Sequence, residues 1–333
     1  MSQLQASDLI SLATSYWNSA TLMAAVRLKA FDALQTPQTL EQFAEHIQSN
    51  SVACEALLIA LISLSLVEKQ DNLYQNTAVA NDFLVSSKPQ ALNQAMLYNA
   101  DVYPLWGQLD QVIKQGDVTK DPQAYLGEDE AKTQRFVYGM HHRALGIGQA
   151  MLSVIDLSQA QYLMDIGGGP GTYSVLLTKK YKHLKADVLD LPAVVRVASQ
   201  IVQQMNGSDQ VQCTAYDYYK DELPQQDYDS ALISGVLHRE QPPQVQKIFQ
   251  QVAQRLPIGG QLWISDVMLN DDRTGPLFSA MFTLNMRILS HDGRCHSVAE
   301  QTQWLQEAGF KVTQVHQLPA PIHYTVIAAE RIA

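Results

Sequence analysis

Cysteine is scarce in this chain: Cys54, Cys213 and Cys295 are the only three among 333 residues. They lie far apart, are odd in number and form no Cys-x-x-Cys pair, which excludes a disulfide framework and a zinc knuckle and favours a reducing compartment. Basic residues are scarce as well, since 23 Lys and Arg face 33 Asp and Glu and the formal net charge is -10. Because nucleic acids are bound mainly through their phosphates, we expect no nucleic-acid partner.

Long apolar runs are also missing. The most apolar stretch, 56–67, is interrupted by serines and is too short to span a bilayer. The first residues contain no basic segment followed by an apolar one, so we expect no membrane partner and a cytoplasmic location. Hydrophobic residues nevertheless make up 46% of the chain and charged residues 17%, which favours a folded protein. The length suggests two domains.

The first part of the chain is dominated by helical periodicity. Apolar residues recur at three- and four-residue spacing in five segments: 7–34, 39–48, 52–65, 91–115 and 129–156. The segment 66–77 departs from this pattern, because it contains two short extended pieces joined at Asp71-Asn72, and it predicts a hairpin. Helix, helix and hairpin over 39–77 follow one another in the order of a winged helix.

From Gln161 onward, short apolar runs alternate with helix-length segments. The runs are Tyr162–Ile166, Ala186–Leu189, Val211–Ala215, Ser230–Ser234, Gln261–Ser265, Lys311–His316 and His323–Ala328. This alternation predicts a doubly wound, Rossmann-like α/β sheet that is mainly parallel and ends in an antiparallel edge hairpin. We place the domain boundary so that a helical winged-helix domain over 1–157 precedes the α/β domain over 158–333.

A glycine-dense turn follows the first of these strands. Residues 165–171 read Asp-Ile-Gly-Gly-Gly-Pro-Gly, and glycine allows the backbone to approach a ligand at the carboxyl edge of the sheet. A dinucleotide fingerprint counted from Gly167 would need Gly or Ala at Thr172, and no Gly-Lys-Ser/Thr follows for a phosphate loop. The spacing from Asp165 to Gly171 is instead typical of a nucleoside-methionine ligand. A tight turn without a ligand is the alternative.

Acidic residues follow the next two strands. Asp190 ends the second strand, where doubly wound folds place a carboxylate on ribose hydroxyls. It is also suited to cap the helix that begins near Pro192, and the two roles are compatible. Asp217 and Tyr218 follow the third strand, where an acid and a large side chain could bracket an adenine.

Six motifs follow one another along the chain: DIGGGPG, LDLP, YDYY, LISGVLHRE, GGQLWISDVML and DGRCHSVAEQTQWLQEAGF. In this order they resemble the S-adenosylmethionine-dependent O-methyltransferases of the large dimeric type, a group with caffeate, flavonoid, hydroxyindole and bacterial natural-product enzymes. The resemblance covers nearly the whole chain. It includes the N-terminal domain, which in that family serves dimerisation and closure of the substrate pocket.

The resemblance implies S-adenosylmethionine as cofactor, with its ribose on Asp190. The predicted cofactor-binding residues are Asp165, Gly167, Gly169, Asp190, Leu191, Asp217 and Tyr218. The family's catalytic histidine falls on His238, although Arg239 and Glu240 follow it where the family has Asp-Trp. Its first acidic helper falls on Asp266. Its second falls on Cys295, which cannot anchor an imidazolium as a carboxylate does.

Methyl transfer from a sulfonium requires the protein to position an acceptor and to remove its proton. A phenol ionises near pH 10, as tyrosine does, and a neutral imidazole can take its proton. We therefore predict His238 as the base and Asp266 as the group that orients it. The alternative is that His238 only packs under the following helix.

Met140 and Met286 lie where the family clamps a flat aromatic acceptor, although methionines at such helical positions are often ordinary core residues. We predict a small aromatic acceptor and no metal. The alternative to the second prediction is a metal site formed by His291, Cys295 and His296.

Two other functions compete with O-methylation. A winged helix can belong to a DNA-binding regulator, but the segment 51–67 contains no Lys or Arg and is apolar enough to be buried. The closer rival is a family member that uses the same cofactor pocket for hydroxylation, decarboxylation or ring formation, which the Cys295 departure favours. Segments 7–34 and 52–65 carry more apolar surface than one small domain can bury, so we also predict a homodimer.

Overall fold

The computed structural model describes residues 4–88, 90–116, 126–127 and 129–333. The chain divides into two compact units, Met1–Pro104 and Leu105–Ala333. Within the described ranges, no helix is long and apolar enough to cross a bilayer.

The first unit is helical apart from one hairpin. Its helices are α1 (Ala6–Thr14), α2 (Tyr16–Arg27), α3 (Ala30–Ala33), α4 (Leu40–His46), α5 (Ser51–Ser63), α6 (Ala78–Phe83) and α7 (Asn93–Trp106), whose last two residues belong to the second unit. Strands β1 (Val67–Gln70) and β2 (Leu73–Asn76) pair antiparallel around Asp71-Asn72. The predicted hairpin and the winged-helix order of α4, α5, β1 and β2 are confirmed.

Most helices of this unit bury one face and expose another, whereas α1 buries none of its residues. Phe31, Phe43, Leu58 and Leu61 lie at the centre of its core. We predicted that the helix over 51–67 is buried. It buries the face that carries Leu58 and Leu61, but the prediction was wrong for the opposite face, where Val52 is 75% exposed. The predicted helix over 7–34 is interrupted twice, because Ser15 separates α1 from α2 and Lys29 takes a left-handed φ of 57° before α3.

The second unit contains a seven-stranded sheet with helices around it. Its helices are α8 (Leu109–Gln115), α9 (Glu130–Val154), α10 (Thr172–Lys180), α11 (Pro192–Gln204), α12 (Pro242–Arg255), α13 (Leu277–Leu289) and α14 (Val298–Glu307), with a 3₁₀ turn at Leu237–Arg239. Its strands are β3 (Tyr162–Ile166), β4 (Lys185–Asp190), β5 (Val211–Ala215), β6 (Ser230–Ser234), β7 (Gln261–Asp266), β8 (Phe310–Gln317) and β9 (Thr325–Arg331).

The strand order is β5-β4-β3-β6-β7-β9-β8. Strands β3 to β7 pair in parallel, whereas β9 pairs antiparallel with β7 and β8. The predicted doubly wound sheet and its antiparallel edge hairpin are therefore confirmed. Because parallel strands end at the same edge, the segments after β3, β4, β6 and β7 gather on one side of the sheet.

Alternating residues of the central strands enter two separate cores. Met164 and Ile233 pack with Phe249 on one face of the sheet, while Leu163 and Leu232 pack on the other. Such burial on both faces explains why the central strands read as continuous apolar runs.

The chain divides into its two compact units after Pro104, whereas we expected the domain boundary between residues 157 and 158. Helix α9 packs on the sheet unit, because Val137 contacts a cluster with Val197 and Ile201 of α11, and Met151 joins the core that contains Leu163. That the helices before residue 158 form one functional domain stays a prediction.

Candidate active site

The glycine loop connects β3 to α10 with three left-handed residues. Gly167, Gly169 and Gly171 have φ values of 62°, 55° and 70°, a region that side chains rarely tolerate. A Cβ on Gly167 would lie 2.5 Å from Cγ2 of Val236, so the loop packs closely against the segment before His238. A Cβ on Gly169 would meet no atom within 4 Å, so the backbone there faces open space.

Asp190 lies at the end of β4 and accepts a hydrogen bond from the glycine loop. Its Oδ2 accepts the backbone N–H of Gly169 at 2.8 Å, and its Oδ1 accepts that of Leu191 at 2.7 Å. Burial raises the pKa of Asp190, while these two hydrogen bonds act to lower it. Each carboxylate oxygen keeps a second lone pair, so Asp190 can accept two further hydrogen bonds.

Asp165 is fully buried beneath the loop. Its Oδ2 accepts the Ser174 hydroxyl at 2.6 Å, whereas its Oδ1 has no hydrogen-bond partner in the described part of the chain. Burial raises the pKa of Asp165 to about 7, against the lowering effect of Ser174. An unpartnered buried carboxylate oxygen is costly unless a donor reaches it.

The segment after β5 is tied to the 3₁₀ turn. Asp217 accepts the backbone N–H of Tyr219 at 3.0 Å and the ammonium of Lys220 at 2.7 Å. The Tyr218 hydroxyl donates to Oε1 of Glu240 at 2.7 Å, and the Tyr219 hydroxyl donates to the other Glu240 oxygen. Glu240 therefore accepts a hydrogen bond from each of the two tyrosines.

His238 and Asp266 form a buried pair at the ends of β6 and β7. The His238 Nδ1 lies 2.5 Å from Oδ1 of Asp266, and the two side chains are 8% and 2% exposed. Asp266 also accepts the backbone N–H groups of His238 and Val267. Because both carboxylate oxygens already act as acceptors, Nδ1 is the donor, which leaves the lone pair on Nε2 of His238.

Two aromatic residues lie beside this pair. Phe282 of α13 points its ring at His238 in an edge-to-face contact, with the centroids 4.9 Å apart. A Cβ on Gly235 would lie 3.8 Å from Cε1 of His238 and 3.9 Å from the Tyr324 hydroxyl. Burial raises the pKa of Tyr324 to about 12, so this hydroxyl keeps its proton at neutral pH.

Cys295 is fully buried with Val267 and Leu269. Burial raises its pKa to about 12, with Thr283 lowering it and the nearby Asp266 raising it. The thiol is therefore neutral and supplies no charge to the His238–Asp266 pair. Asp266 is the acid that contacts the imidazole.

The two methionines occupy different surroundings. Met140 is half-buried on α9, next to His141, whose Nδ1 lies 2.7 Å from the Thr172 hydroxyl at the start of α10. Met286 is 6% exposed, and its backbone carbonyl would lie 2.3 Å from a Cβ on Gly293. Their roles in an acceptor pocket stay predictions.

The structure thus joins Gly169, Asp190 and Leu191 through hydrogen bonds, and His238 to Asp266. It places the loop against the segment before His238.

The sequence analysis did not identify Phe282 and Glu240 as neighbours of these groups. The aromatic pair Phe278 and Phe282, four residues apart on one helix, was the available signal for the first.

This edge of the sheet fits S-adenosylmethionine. The open space over Gly169 admits a ligand against the backbone, Asp190 can accept hydroxyl groups, and the unpartnered Oδ1 of Asp165 is suited to a donor. In the described ranges, no group of three or more His, Cys, Asp and Glu side chains is arranged to hold a metal ion.

Comparison with known proteins agrees with this geometry. Residues 118–311 match the family model of the O-methyltransferase domain, and residues 10–86 match that of the O-methyltransferase dimerisation domain. The first match lies within the second compact unit and the second match lies within the first.

Relatives and solved structures match over almost the whole chain. The chain is 30% identical to 3-hydroxy-5-methyl-1-naphthoate 3-O-methyltransferase of Streptomyces sahachiroi, over 96% of this chain and 94% of the relative. It is 28% identical to the N,N-dimethyltransferase OxyT of Streptomyces rimosus, over 94% and 93%. Human N-acetylserotonin methyltransferase in complex with SAM superimposes with a TM-score of 0.88 at 25% identity, over 100% and 99%. The chain therefore belongs to the O-methyltransferase family, whose members use S-adenosylmethionine and combine this catalytic domain with an N-terminal dimerisation domain.

Proposed function

We propose that this enzyme methylates a phenolic hydroxyl of an aromatic small molecule, with His238 as the general base. The observation that carries the proposal is the buried His238–Asp266 pair, which lies at the carboxyl edge of the sheet beside the glycine loop. An aromatic acceptor is supported by the names of two relatives, which give a hydroxynaphthoate and N-acetylserotonin as their substrates.

Bound S-adenosylmethionine supplies a methyl group on a positively charged sulfur, so the methyl donor needs no activation. The residues of the chain have to hold the acceptor and remove its proton. A phenol with a pKa near 10 is almost entirely protonated at neutral pH. Nε2 of His238 accepts that proton, while Asp266 keeps the proton on Nδ1 and stabilises the imidazolium that forms.

One acid is sufficient for this arrangement. Asp266 holds His238 through both its imidazole and its backbone N–H, so the ring is oriented without a second carboxylate. The neutral thiol of Cys295 fills the place that the family gives to that second acid. The loss of the second acid therefore does not by itself argue for chemistry other than methyl transfer.

Around this pair we assign the remaining predicted residues. Asp190 accepts the ribose hydroxyls of the cofactor, helped by the Gly169 and Leu191 amides that fix its carboxylate. Gly167 and Asp165 complete the loop, and Asp217 and Tyr218 lie on the adenine side. Met140 and Met286 contribute soft apolar surface to the acceptor site.

We further propose that the active form is a homodimer. The dimerisation-domain match covers residues 10–86, and the helices within it expose large apolar side chains, including Ile10 at 69% and Trp17 at 58%. Such exposure is typical of a surface that a partner covers.

The test compares His238→Ala with Asp190→Ala in two measurements. His238→Ala should lower kcat by about 10²- to 10⁴-fold on phenols and leave the affinity for S-adenosylhomocysteine nearly unchanged, because a base acts mainly in the transition state. Asp190→Ala should weaken S-adenosylhomocysteine binding about 10- to 150-fold, since a charged hydrogen-bonding group contributes roughly 1.5–3 kcal/mol. Calorimetry measures the affinity, and single-turnover kinetics with phenols of graded pKa measures the chemistry.

His183→Ala is the matched control, because His183 is an exposed histidine of the same unit. The loss in His238→Ala should shrink as the acceptor becomes more acidic, since an ionised oxygen needs no base. An equal loss on all acceptors would mean that His238 only positions the substrate. Turnover without stoichiometric S-adenosylhomocysteine would contradict methyl transfer, and transfer to amines alone would favour the activity named for the OxyT relative.

A further inference from the structure

His296 is a buried histidine that the proposed reaction does not use. It is 1% exposed, and Trp304 of α14 holds its ring edge-to-face at a centroid distance of 5.0 Å. Its Nε2 lies 3.1 Å from the backbone oxygen of Leu237 and 3.0 Å from that of Glu240. These two residues flank His238, so His296 contacts the turn that carries the proposed base.

The chemistry of these contacts fixes the tautomer of His296. Carbonyl oxygens can only accept hydrogen bonds, so Nε2 carries the proton and donates to both. Nδ1 is buried and has no hydrogen-bond partner among the residues described. Burial lowers the pKa of His296, and Arg294 lowers it further, while the Glu240 carbonyl, Asp266 and Glu300 act in the opposite direction. At neutral pH the ring is an uncharged donor.

The same segment binds the turn through its backbone. The N–H of Arg294 donates to the carbonyl of His238 at 2.8 Å, and the carbonyl of His296 accepts the N–H of Leu269 at 3.1 Å. The carbonyls of Leu237, His238 and Glu240 are thus all satisfied from residues 294–296. A 3₁₀ turn of three residues has few hydrogen bonds of its own, so these external donors determine its position.

We infer that His296 is a positioning residue for methyl transfer, because its Nε2–H fixes the turn that aims the His238 imidazole. The inference rests on the proposed role of His238 as base. It assigns to His296 no contact with cofactor or acceptor. Loss of the donor removes one of the two donors to the Leu237 carbonyl, which keeps the N–H of Glu240 at 3.1 Å. It also removes the donor that His296 supplies to the Glu240 carbonyl, so the turn moves to regain a hydrogen bond there.

The test uses two substitutions of similar size that differ in the donor. His296→Gln places an amide N–H near the position of Nε2, whereas His296→Met has no donor. His296→Met should lower kcat about 10- to 100-fold, because a shift of the reacting groups by about 1 Å is costly. The KM for the acceptor and the Kd for S-adenosylhomocysteine should stay within about twofold. His296→Gln should recover most of the rate.

Amide hydrogen exchange of residues 237–240 provides a readout that needs no turnover. Exchange there should be faster in His296→Met than in the wild type. In His296→Gln the exchange rate should return to that of the wild type. Gln301→Met is the control, since Gln301 is equally buried at 1% on α14. In a His238→Ala background, His296→Met should have little further effect on kcat, because it acts through that side chain.

Three results would overturn the inference: unchanged exchange at 237–240, no rescue by glutamine, or an equal loss of kcat in the His238→Ala background. Failure of the proposed function is recognised separately, because the wild type would then release no S-adenosylhomocysteine with phenols or would keep its rate in His238→Ala. The exchange measurement still decides whether His296 holds the turn.

Discussion

Cys295 shows how one residue changes the role that its neighbours can take. The family resemblance predicts a second acid at this position, but the residue here is a thiol whose pKa burial raises to about 12, and it packs among apolar side chains. A carboxylate there would lie close to Asp266, and two like charges would compete for one imidazole. The single Asp266 avoids that competition and leaves one proton acceptor opposite Nδ1 of His238.

Asp165 gives a residue-scale prediction about pH. Burial raises its pKa to about 7, whereas an unfolded aspartate ionises near pH 3.9. Between these values the folded chain keeps a proton that the unfolded chain has released. The contribution of Asp165 to the free energy of unfolding is therefore complete below about pH 4 and is lost as pH rises to about 7, at about 1.4 kcal/mol per pH unit.

Asp165→Asn lacks this titration. Relative to the wild type, the variant should gain about 2–3 kcal/mol of unfolding free energy between pH 5 and pH 8, measured by urea denaturation without cofactor. Asp227→Asn is the control, because Asp227 is exposed and its difference from the wild type should be constant. Parallel pH curves for the wild type and Asp165→Asn would show that the buried carboxyl does not hold its proton.

At the scale of elements, strands were easier to predict than helix ends. The central strands carry apolar residues on both faces, so their runs stand out in the sequence, and β3 and β6 begin and end at the predicted residues. The edge strand β5 also begins and ends as predicted. The helical segment 7–34 gave no signal of its breaks, because its apolar spacing continues through Ser15 and Lys29. Those breaks depend on tertiary packing rather than on local pattern.

Some features of the candidate site were likewise predictable from the sequence, and others were not. Asp190, His238 and Asp266 were predictable because each ends or follows a strand at the edge where parallel strands end. The contacts of His296 and Glu240 were not, because the Nε2 of His296 meets carbonyls more than fifty residues away in the sequence. Only the packing of the segment after α13 against the 3₁₀ turn brings those atoms together.

Two glycines of α9 give a prediction at the scale of elements. A Cβ on Gly146 would meet no atom within 4 Å, whereas a Cβ on Gly148 would lie 2.4 Å from Cδ1 of Leu176 in α10. Gly146→Ala should raise the free energy of unfolding by about 0.5–1 kcal/mol, because alanine loses less backbone entropy in a helix. Gly148→Ala forces Leu176 to move, so it should be less stable than Gly146→Ala by at least about 1 kcal/mol.

Thermal and urea denaturation of both variants measure this difference. Gly148 is buried and Gly146 is exposed, so each serves as the other's control for helix propensity. Equal gains in the two variants would mean that Leu176 yields without cost and that Gly148 does not set the distance between α9 and α10.

At the scale of the whole molecule, the N-terminal helices carry apolar surface that the described residues of the chain leave exposed. Helix α1 buries none of its residues, and the side chains of Leu9, Ile10, Leu12, Tyr16 and Trp17 are all more than half exposed. A helix that is apolar on its exposed faces is stable in water when another chain packs on it. Stable interfaces of the obligate kind bury about 2,000 Å² or more.

We therefore expect light scattering at micromolar concentration to give twice the 37.0 kDa chain mass. Ile10→Glu combined with Trp17→Glu should give the mass of one chain, because two carboxylates would have to be buried without partners. Ile258→Glu is the control: Ile258 is 65% exposed in the sheet unit and should leave the dimer intact. A wild type that is monomeric and fully active would contradict the dimer, and a double variant that stays dimeric would show that the interface lies elsewhere than on α1 and α2.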